Sequence, residues 1–399
     1  MTDLEQKPRL RFKGFTEAWE QRIIKDLITK GGSGGTPSTS NASFYDGIIP
    51  FLSITDISNS NGFIFDTEKH ITESALNSSA AWIVPKESVS LAMYASVGKV
   101  AILKENIATS QAFYNMIFKT IELRDYCFQY LKKMEISNEW IPYISTGTQA
   151  NLNAEKVQNL KLYVPSEKCE QKKIGQLFYK LDSLITLHQR KYEKLKSMKA
   201  ALLEKMFPSE NETTPKIRFK GFTEAWEQRK YEDIGSNFNG GTLSYASLDE
   251  NGKLKCVLYG DLYTLYDSII LKIERKTNFK GNTIFKNDIL FPQSTTVDAY
   301  SLISPACLNE ETAETSGVFV IRPNKNIDGN FIAYYSKGNE KQRNKLAKNA
   351  QGLTIVHLYY QSIKNEILYI PNLKEQKMIS AFFMRLDSLI TLHQRKLIF

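Results

Sequence analysis

Cysteine and histidine are scarce in this chain, and both are scattered. The four cysteines include no Cys-x-x-Cys pair, and the four histidines show no metal-binding spacing. These absences exclude a disulfide framework and the common zinc sites, and they favour a reducing compartment. The chain has no apolar run of about 18 residues, and its first residues are polar and acidic, unlike a signal peptide. We therefore expect a cytoplasmic protein with no metal site and no membrane span.

The motifs of common nucleotide-binding and DNA-modifying enzymes are missing as well. Gly98-Lys99 lacks the upstream glycine of a phosphate-binding loop, and the glycines within residues 31–35 have the wrong spacing for a dinucleotide site. There is no Pro-Pro pair, which the amino-group DNA methyltransferase signature requires, and no Pro-Asp pair, with which the usual nuclease motif begins. We therefore predict no catalytic and no cofactor-binding residue in this chain.

The chain does have an excess of positive charge. It contains 52 lysine and arginine residues against 43 acidic residues, a net charge of +9. This balance favours a polyanion partner, most simply nucleic acid, although a basic protein without such a partner is the alternative. With 399 residues, of which 42% are hydrophobic, the chain is long enough for two or three domains with cores.

An internal repeat divides the chain. Residues 11–22 and 218–229 both read RFKGFTEAWEQR, and residues 181–191 and 386–396 both read LDSLITLHQRK. The offsets of 207 and 205 residues are far longer than a solenoid unit of about 20–50 residues. They indicate a duplicated domain with its connector. We predict domains at residues 1–167 and 209–372, a long helix at 168–208 and a shorter helix at 373–399.

The segments between the shared blocks differ. Residues 30–145 and 237–350 show no convincing similarity. Identical connecting segments with dissimilar segments between them favour two tasks. The shared segments would bind the same kind of partner twice, and the dissimilar segments would bind two different targets. Drift after duplication is the alternative, but drift would not leave the connectors unchanged.

Each connector carries the seven-residue apolar repeat of a coiled-coil helix. Pro208 ends the first helix, which would be about 57 Å long at about 1.5 Å per residue. We predict that the two helices pair antiparallel, the alternative being that each packs on its own domain. The histidines at seam positions are expected to set the register. The predicted seam and subunit-docking residues are Ile174, Leu181, Ile185, His188, Leu195, Leu202, Leu386, Ile390 and His393.

The two large domains combine strand-like runs with helical segments. The strand-like runs are residues 48–54, 89–93, 100–103, 256–259, 283–291 and 318–321, and residues 121–134 and 331–345 are predicted helices. The predicted fold class is α+β, with two mixed α/β domains in a pseudo-twofold arrangement, separated by two long antiparallel coiled-coil helices. The pattern does not give the strand order.

Polar loops of the two domains suit DNA binding, because Asn and Gln can bind adenine edges and Lys can bind guanine or phosphate. For any single residue, ordinary polar surface is the alternative. Residues 345–352 are expected to take the place that residues 145–151 have in the first half. The candidate DNA-binding residues are Thr36, Ser38, Tyr94, Ser96, Lys99, Thr146, Thr148, Gln149 and Asn151, and then Gln293, Ser294, Thr295, Lys345, Lys348, Asn349 and Gln351.

The whole chain resembles the specificity subunits of Type I restriction–modification enzymes. The resemblance rests on the helix LDSLITLHQRKYEKLKSMKAALLEKMFP, the Pro-x-x-x-x-Glu-Gln approach to it, Gly-Thr-Pro-Ser at residues 35–38 and GTQANLN at 147–153. It implies two target-recognition domains, each reading half of a split site in double-stranded DNA. It also implies that the helices set the half-site spacing and carry two modification subunits.

The resemblance extends to the partners. It implies that the modification subunits methylate adenine with S-adenosylmethionine, that two restriction subunits, where present, use ATP and magnesium, and that the specificity subunit binds none of these. This chain departs from the pattern at residues 241–244, which read GTLS, and in its second helix, which ends about 16 residues early. The alternatives are an orphan specificity subunit in a methyltransferase complex, a protein-binding coiled-coil adaptor and an enzyme with an unfamiliar site.

Overall fold

The computed structural model describes residues 7–145, 151–208 and 212–398. The chain divides into two compact units, unit 1 (Met1–Leu187) and unit 2 (His188–Phe399), and the division falls inside the first long helix. The domain boundaries at residues 167, 208 and 372 stay a prediction. Among the described residues, no helix has the length and apolar character needed to cross a membrane.

Unit 1 contains eleven strands in its described residues. They are β1 (Glu20–Ile23), β2 (Ile28–Gly32), β3 (Ile49–Phe51), β4 (Phe63–Ile64), β5 (Lys69–Ile71), β6 (Trp82–Val84), β7 (Val89–Ala92), β8 (Val100–Leu103), β9 (Ile107–Thr109), β10 (Phe113–Phe118) and β11 (Lys161–Val164). The helices that begin in unit 1 are α1 (Ile24–Leu27), α2 (Ile54–Asn59), α3 (Glu73–Asn77), α4 (Ile121–Ile136), α5 (Ala154–Gln158) and α6 (Lys168–Lys205).

The strands of unit 1 form two sheets and one strand pair. The larger sheet has the order β2-β10-β7-β8-β4, the smaller sheet has the order β5-β3-β9-β6, and β1 pairs with β11. Strands β7 and β8 are buried along their whole length, which is why they read as continuous apolar runs. Thr120 caps helix α4, because its hydroxyl accepts a hydrogen bond from the Leu123 backbone, and the helix buries one face against the larger sheet.

Unit 2 contains the remaining described elements. Its strands are β12 (Glu227–Lys230), β13 (Gly235–Asn239), β14 (Leu254–Leu258), β15 (Ile269–Ile270), β16 (Lys276–Thr277), β17 (Asn282–Phe285), β18 (Ile289–Pro292), β19 (Ser294–Thr295), β20 (Ala306–Leu308), β21 (Thr312–Ser316), β22 (Val318–Pro323), β23 (Val356–His357) and β24 (Ile367–Ile370). Its helices are α7 (Asp261–Thr264), α8 (Ala299–Leu302), α9 (Gly329–Gly338), α10 (Glu340–Ala347), α11 (Tyr360–Ile363) and α12 (Leu373–Ile398).

The strand order of unit 2 repeats that of unit 1. The larger sheet is β13-β22-β18-β20-β15, the smaller sheet is β16-β14-β21-β17, and β12 pairs with β24; a further pair joins β19 and β23. The segments without sequence similarity therefore have the same topology. The prediction of two mixed α/β domains with long helices is confirmed.

Two predicted elements of unit 2 were wrong in their extent. Residues 283–291 form two strands in different sheets, because a turn separates them in which Asn287 has a φ of +80° and Asp288 accepts a hydrogen bond from the Phe285 backbone. Residues 331–345 form two helices, because the side chain of Asn339 caps the second by accepting from the Gln342 backbone.

The repeated sequence blocks form a repeated frame. The Arg11 guanidinium donates to both oxygens of Glu170 at 2.7 and 2.8 Å, and that of Arg218 donates to Glu375 at 2.6 and 2.8 Å. Both carboxylates are buried. The Gln171 amide donates to the Pro165 carbonyl, and the Gln376 amide repeats this contact in unit 2. The residues that are repeated in the two units thus have the same tertiary partners.

Helices α6 and α12 run antiparallel where they meet in unit 2. The Nδ1 atoms of His188 and His393 lie 2.8 Å apart, and Lys199 Nζ lies 2.6 Å from Asp387 Oδ1. Burial and the nearby charges of Lys396, His393 and Lys191 lower the pKa of His188, which favours the neutral ring. Leu195, Leu202 and Ile390 pack against the unit 2 core with Leu386, whereas Ile174 packs against the unit 1 core. Contrary to the seam prediction, Leu181 and Ile185 are exposed.

Candidate nucleic-acid interface

Polar loops of unit 1 gather at one end of its larger sheet. The antiparallel pairings place the end of β2, the start of β10, the end of β7 and the start of β8 at the same edge. The Thr36 hydroxyl donates to Gln111 Oε1 at 2.8 Å, and Ser38 lies 2.8 Å from the Ser40 hydroxyl. The structure therefore brings the loop that contains Thr36 and Ser38 to the edge from which residues 93–99 also leave.

The turn between β7 and β8 is held in a fixed conformation. Ser96 has a φ of +51° and Gly98 a φ of +91°, and a Cβ at Gly98 would lie 2.3 Å from the Trp140 ring. The Ser58 hydroxyl donates to Ser96 Oγ at 3.1 Å. Lys99 Nζ lies 3.5 Å from Glu135 Oε1. The role of Lys99 in DNA binding stays a prediction.

The loop at residues 145–151 is anchored next to this turn. Ser145 and Asn151 exchange backbone hydrogen bonds, and Asn151 also bridges to Tyr94. The candidates Thr146, Thr148 and Gln149 lie outside the described residues. The described residues on either side of them, Ser145 and Asn151, bridge to each other, and Asn151 lies beside Tyr94 at the polar sheet end.

Unit 2 gathers its polar loops at the equivalent edge. The end of β13, the start of β22, the end of β18 and the start of β20 meet there. Gln293 follows β18, and its side-chain amide donates to Asn239 Oδ1 at 3.2 Å. Ser294 and Thr295 form β19 and pair with His357 and Val356. These three candidates therefore lie together.

The counterpart of the 145–151 loop is residues 351–357, closed by a backbone bridge between Gln351 and His357. The prediction that residues 345–352 take this place was wrong in position, because it put the loop too far toward the N-terminus. Lys345 instead binds the Ile367 carbonyl at 3.0 Å and Glu366 at 3.2 Å, and the Asn349 amide donates to Glu366 Oε1 at 2.9 Å. Lys348 and Gln351 are exposed near the loop.

Sequence reasoning missed several residues at this end of unit 2. The Arg343 guanidinium lies 4.0 Å from the Tyr300 ring centroid, and its Nε donates to the Tyr300 carbonyl. The two remaining nitrogens of the guanidinium can bind an anion. Leu353 and Ile355 are exposed in the 351–357 loop, and His357 stacks on Tyr359. The signal in the sequence was the pair of apolar residues, Leu353 and Ile355, within a polar segment. A groove of about 590 Å³ connects Ser294, Thr296, Arg343 and Ile355 with Tyr259 and Tyr263.

The described residues contain no group of three His, Cys, Asp or Glu side chains arranged to hold a metal ion. Burial raises the pKa of Cys127 and Cys307, and it raises that of Cys256 to about 11, with Asp261 adding to this shift. These three thiols therefore stay protonated near neutral pH and are poor nucleophiles.

Both long helices also expose the same leucines. We call Leu184 and Leu187 of α6 and Leu389 and Leu392 of α12 the outer faces. Each of the four side chains is about half exposed. Identical sequence and equal exposure give the chain two equivalent apolar surfaces.

A duplicated fold with a polar sheet end in each copy defines a two-module recognition protein. The chain belongs to the family of Type I restriction modification DNA specificity domains, whose model matches residues 16–197 and 223–398. The membership suggested by the sequence is thereby confirmed.

Individual relatives support this assignment. The chain is 30% identical over 224 residues to the Type I restriction enzyme MjaIX specificity subunit of Methanocaldococcus jannaschii, which is 54% of this chain and 51% of that protein. It is 27% identical over 169 residues to the HindI specificity subunit of Haemophilus influenzae, which is 41% of this chain and 36% of that protein. The chain thus spans about half the length or less of these relatives. The crystal structure of a Type I restriction–modification S subunit from M. genitalium shares the fold, with a TM-score of 0.60 and 14% identity over 98% of this chain and 94% of that chain.

Proposed function

We propose that the chain is the sequence-reading subunit of a Type I restriction–modification complex, and that each unit reads one half of a bipartite DNA site. The main support is the contrast between a repeated frame and topology and the different residues at the two polar sheet ends. A shared fold presents the loops in the same way, while different loop residues read different bases. A protein with this task would work in the cytoplasm.

The residues at the sheet ends are suited to the two parts of DNA recognition. Amides such as Gln293 and Gln351 can bind adenine edges, and Lys348 and Arg343 can bind phosphate. In unit 1 the loops beside Thr36, Ser96 and Asn151 supply hydroxyls and amides. The net charge of +9 adds the salt-dependent attraction that non-specific DNA binding requires.

The outer faces are the proposed docking surfaces for two modification subunits. Two identical surfaces on one chain suit two copies of one partner. In this scheme S-adenosylmethionine binds to the modification subunits, ATP and magnesium bind to two restriction subunits where these are present, and this chain performs no chemistry of its own.

Exchanging the centre of one unit tests modular reading. Residues 30–145 would be replaced by the corresponding segment of another specificity subunit, and methylated adenines would be mapped genome-wide in cells that carry the chimera. We expect one half of the methylated site to change and the other half to stay. A change in both halves would refute modular reading.

A four-residue insertion after Lys191 tests whether the helices set the half-site spacing. It lengthens α6 by about 6 Å, and each base pair occupies about 3.4 Å, so the unspecified spacer should grow by one or two base pairs with both half-sites unchanged. A seven-residue insertion preserves the heptad and should be better tolerated. An unchanged spacer in an active protein would leave the helices as docking surfaces only.

The docking proposal is tested by charge substitutions on one outer face at a time. Leu184→Asp with Leu187→Asp should remove one modification subunit, and Leu389→Asp with Leu392→Asp should remove the other, as measured by native mass spectrometry. Retention of both subunits in either variant would refute docking at these faces. A mobility-shift assay on random duplexes at several salt concentrations separates the DNA-binding proposal from a protein-only adaptor, which would not bind.

A further inference from the structure

The 351–357 loop of unit 2 presents two apolar side chains to solvent. Leu353 is 100% exposed, the highest value for a large apolar side chain in the described part of the chain, and Ile355 is 48% exposed. Single exposed apolar residues are ordinary on protein surfaces. Leu353 differs from them in its position, because it lies at the polar sheet end, among the loops proposed to bind DNA.

Backbone contacts hold this loop in one shape. The Gln351 amide donates to the His357 carbonyl at 2.9 Å, and the His357 amide donates to the Gln351 carbonyl at 2.7 Å. Gly352 has a φ of +115°, and a Cβ there would lie 2.1 Å from the Ile355 carbonyl oxygen, so this turn requires glycine. Leu353 is therefore kept in solvent by a closed backbone turn.

The loop is also attached to the residues that follow strand β18. Val356 pairs with Thr295, and the Leu358 amide donates to the Gln293 carbonyl at 3.0 Å. Val356 and Leu358 are buried in the unit 2 core. The chain that follows the two exposed side chains is thus fixed to the core, which places Leu353 in the same loop cluster as the polar candidates of unit 2.

The corresponding loop of unit 1 has the same length and a different sequence. Each loop spans seven residues between the two partners of its closing bridge. Counted along the sequence from these bridges, Gly147 takes the position of Leu353, and Gln149 takes that of Ile355. The pair of apolar residues is therefore particular to unit 2, as expected of residues that read a sequence rather than maintain the shared fold.

The chemistry around Leu353 matches the edge of a base pair. Gln351 and Thr354 supply hydrogen-bonding groups within the loop, and the exposed Lys348 supplies positive charge near it. In the major groove the C5 methyl of thymine is the apolar group among the hydrogen-bonding atoms of the base edges. An apolar side chain placed there gains by burial against this methyl group, whereas at guanine or cytosine it would leave polar base atoms without partners.

We infer that Leu353 contacts the C5 methyl group of a thymine in the half-site that unit 2 reads, and that it thereby selects thymine at that position. The inference rests on the proposed function, in which unit 2 reads one half of a bipartite site. Methylation of an adenine within a half-site means that this half-site contains at least one thymine, as the partner of that adenine.

Deoxyuridine substitution tests this contact, because uracil pairs as thymine does and lacks only the methyl group. The half-site of unit 2 is the half that stays unchanged in the chimera of residues 30–145. Each thymine in it would be replaced in turn, and the affinity of the full-length chain, purified with its modification subunits, would be measured by fluorescence anisotropy. We expect one substitution to weaken binding roughly three- to fourfold, the effect of one buried methyl group.

Variants of the protein assign this effect to one side chain. Leu353→Ala should bind the thymine and uracil duplexes equally, and Leu353→Met, which keeps an apolar side chain, should retain the preference for thymine. Leu271→Ala is the matched control. Leu271 is 62% exposed and follows β15, whose parallel pairing with β20 places it at the opposite edge of the larger sheet, so the preference should stay unchanged.

Three results would overturn the inference while leaving the proposed function intact. The unsubstituted protein could bind every uracil duplex as tightly as the thymine duplex, or the uracil effect could persist in Leu353→Ala. The third is a rise in the fluorescence of a neighbouring 2-aminopurine that requires Leu353, which would show insertion between base pairs instead of a groove contact. Absence of any salt-dependent DNA binding would instead refute the proposed function, and the inference with it.

Discussion

Units 1 and 2 have the same strand order, although the segments that form their sheets share no convincing similarity. The blocks that are identical instead form the same ion pair, the same strand pair and the same glutamine–carbonyl contact at nearly equal distances. Sequence identity therefore marks residues whose tertiary partners are shared. The fold itself persists without identity, because a core tolerates extensive substitution when its volume and apolar pattern are kept.

The largest expected difference between the units concerns two equivalent phenylalanines. Phe383→Ala removes a fully buried ring and should lower the free energy of unfolding by roughly 3–5 kcal/mol. Phe178→Ala removes a half-exposed ring and should cost about 1 kcal/mol. Urea unfolding followed by circular dichroism measures both. Equal costs would show that the Phe178 ring is already covered in solution.

The frame should instead respond alike in both units. Glu170→Gln and Glu375→Gln each remove the charge that balances a largely buried arginine, and each should cost about 3 kcal/mol of unfolding free energy. Glu20→Gln, in an exposed pair with Arg22, is the control and should cost less than about 0.5 kcal/mol. A difference of more than about 1 kcal/mol between the two frame variants would break the equivalence of the units.

Two lysines at the end of unit 2 should separate DNA contact from structural support. Lys348→Ala should lower the log–log salt slope of DNA binding by about one, as expected for one lost phosphate contact. Lys345→Ala should leave the slope unchanged and lower thermal stability, because its ammonium group holds the Ile367 carbonyl and Glu366. A salt titration of DNA affinity, together with a thermal melt, tests both variants. If the salt slope fell only in Lys345→Ala, Lys345 rather than Lys348 would be the phosphate contact.

The smallest effect concerns pH. His188 has a lowered pKa in the folded protein, so the unfolded chain binds more protons, and stability should fall as pH decreases through about 6.5. His188→Asn should flatten this dependence between pH 7.5 and 5.5. Asp267 acts in a separate window: partial desolvation raises its pKa, but Lys337 and Lys199 outweigh this and lower it to about 2, so its contribution is lost only below about pH 4. An unchanged profile in His188→Asn would show that the histidine contact does not titrate.

The sequence predicted elements best where the local pattern was unambiguous. The fully buried strand at residues 100–103 and the helix beginning at residue 121 were found because apolar runs and capping residues are local signals. The split of residues 283–291 was missed because a short polar turn within an apolar run does not show which sheet each part joins. The 351–357 loop was misplaced because its equivalence to residues 145–151 rests on backbone bridges between distant segments.

The sequence by itself determined the duplication and the two long helices, since these follow from the repeated blocks and the heptad spacing, and it predicted the family through its resemblance to Type I specificity subunits. Only the tertiary structure decided that the dissimilar segments share one topology, that Lys345 and Asn349 support the fold, and that equivalent helix residues differ in burial. Leu181 and Leu386 each begin the same eleven-residue block. Leu386 is buried in a core cluster that includes Leu203 and Phe207, which are far from it along the chain, and only folding brings them together.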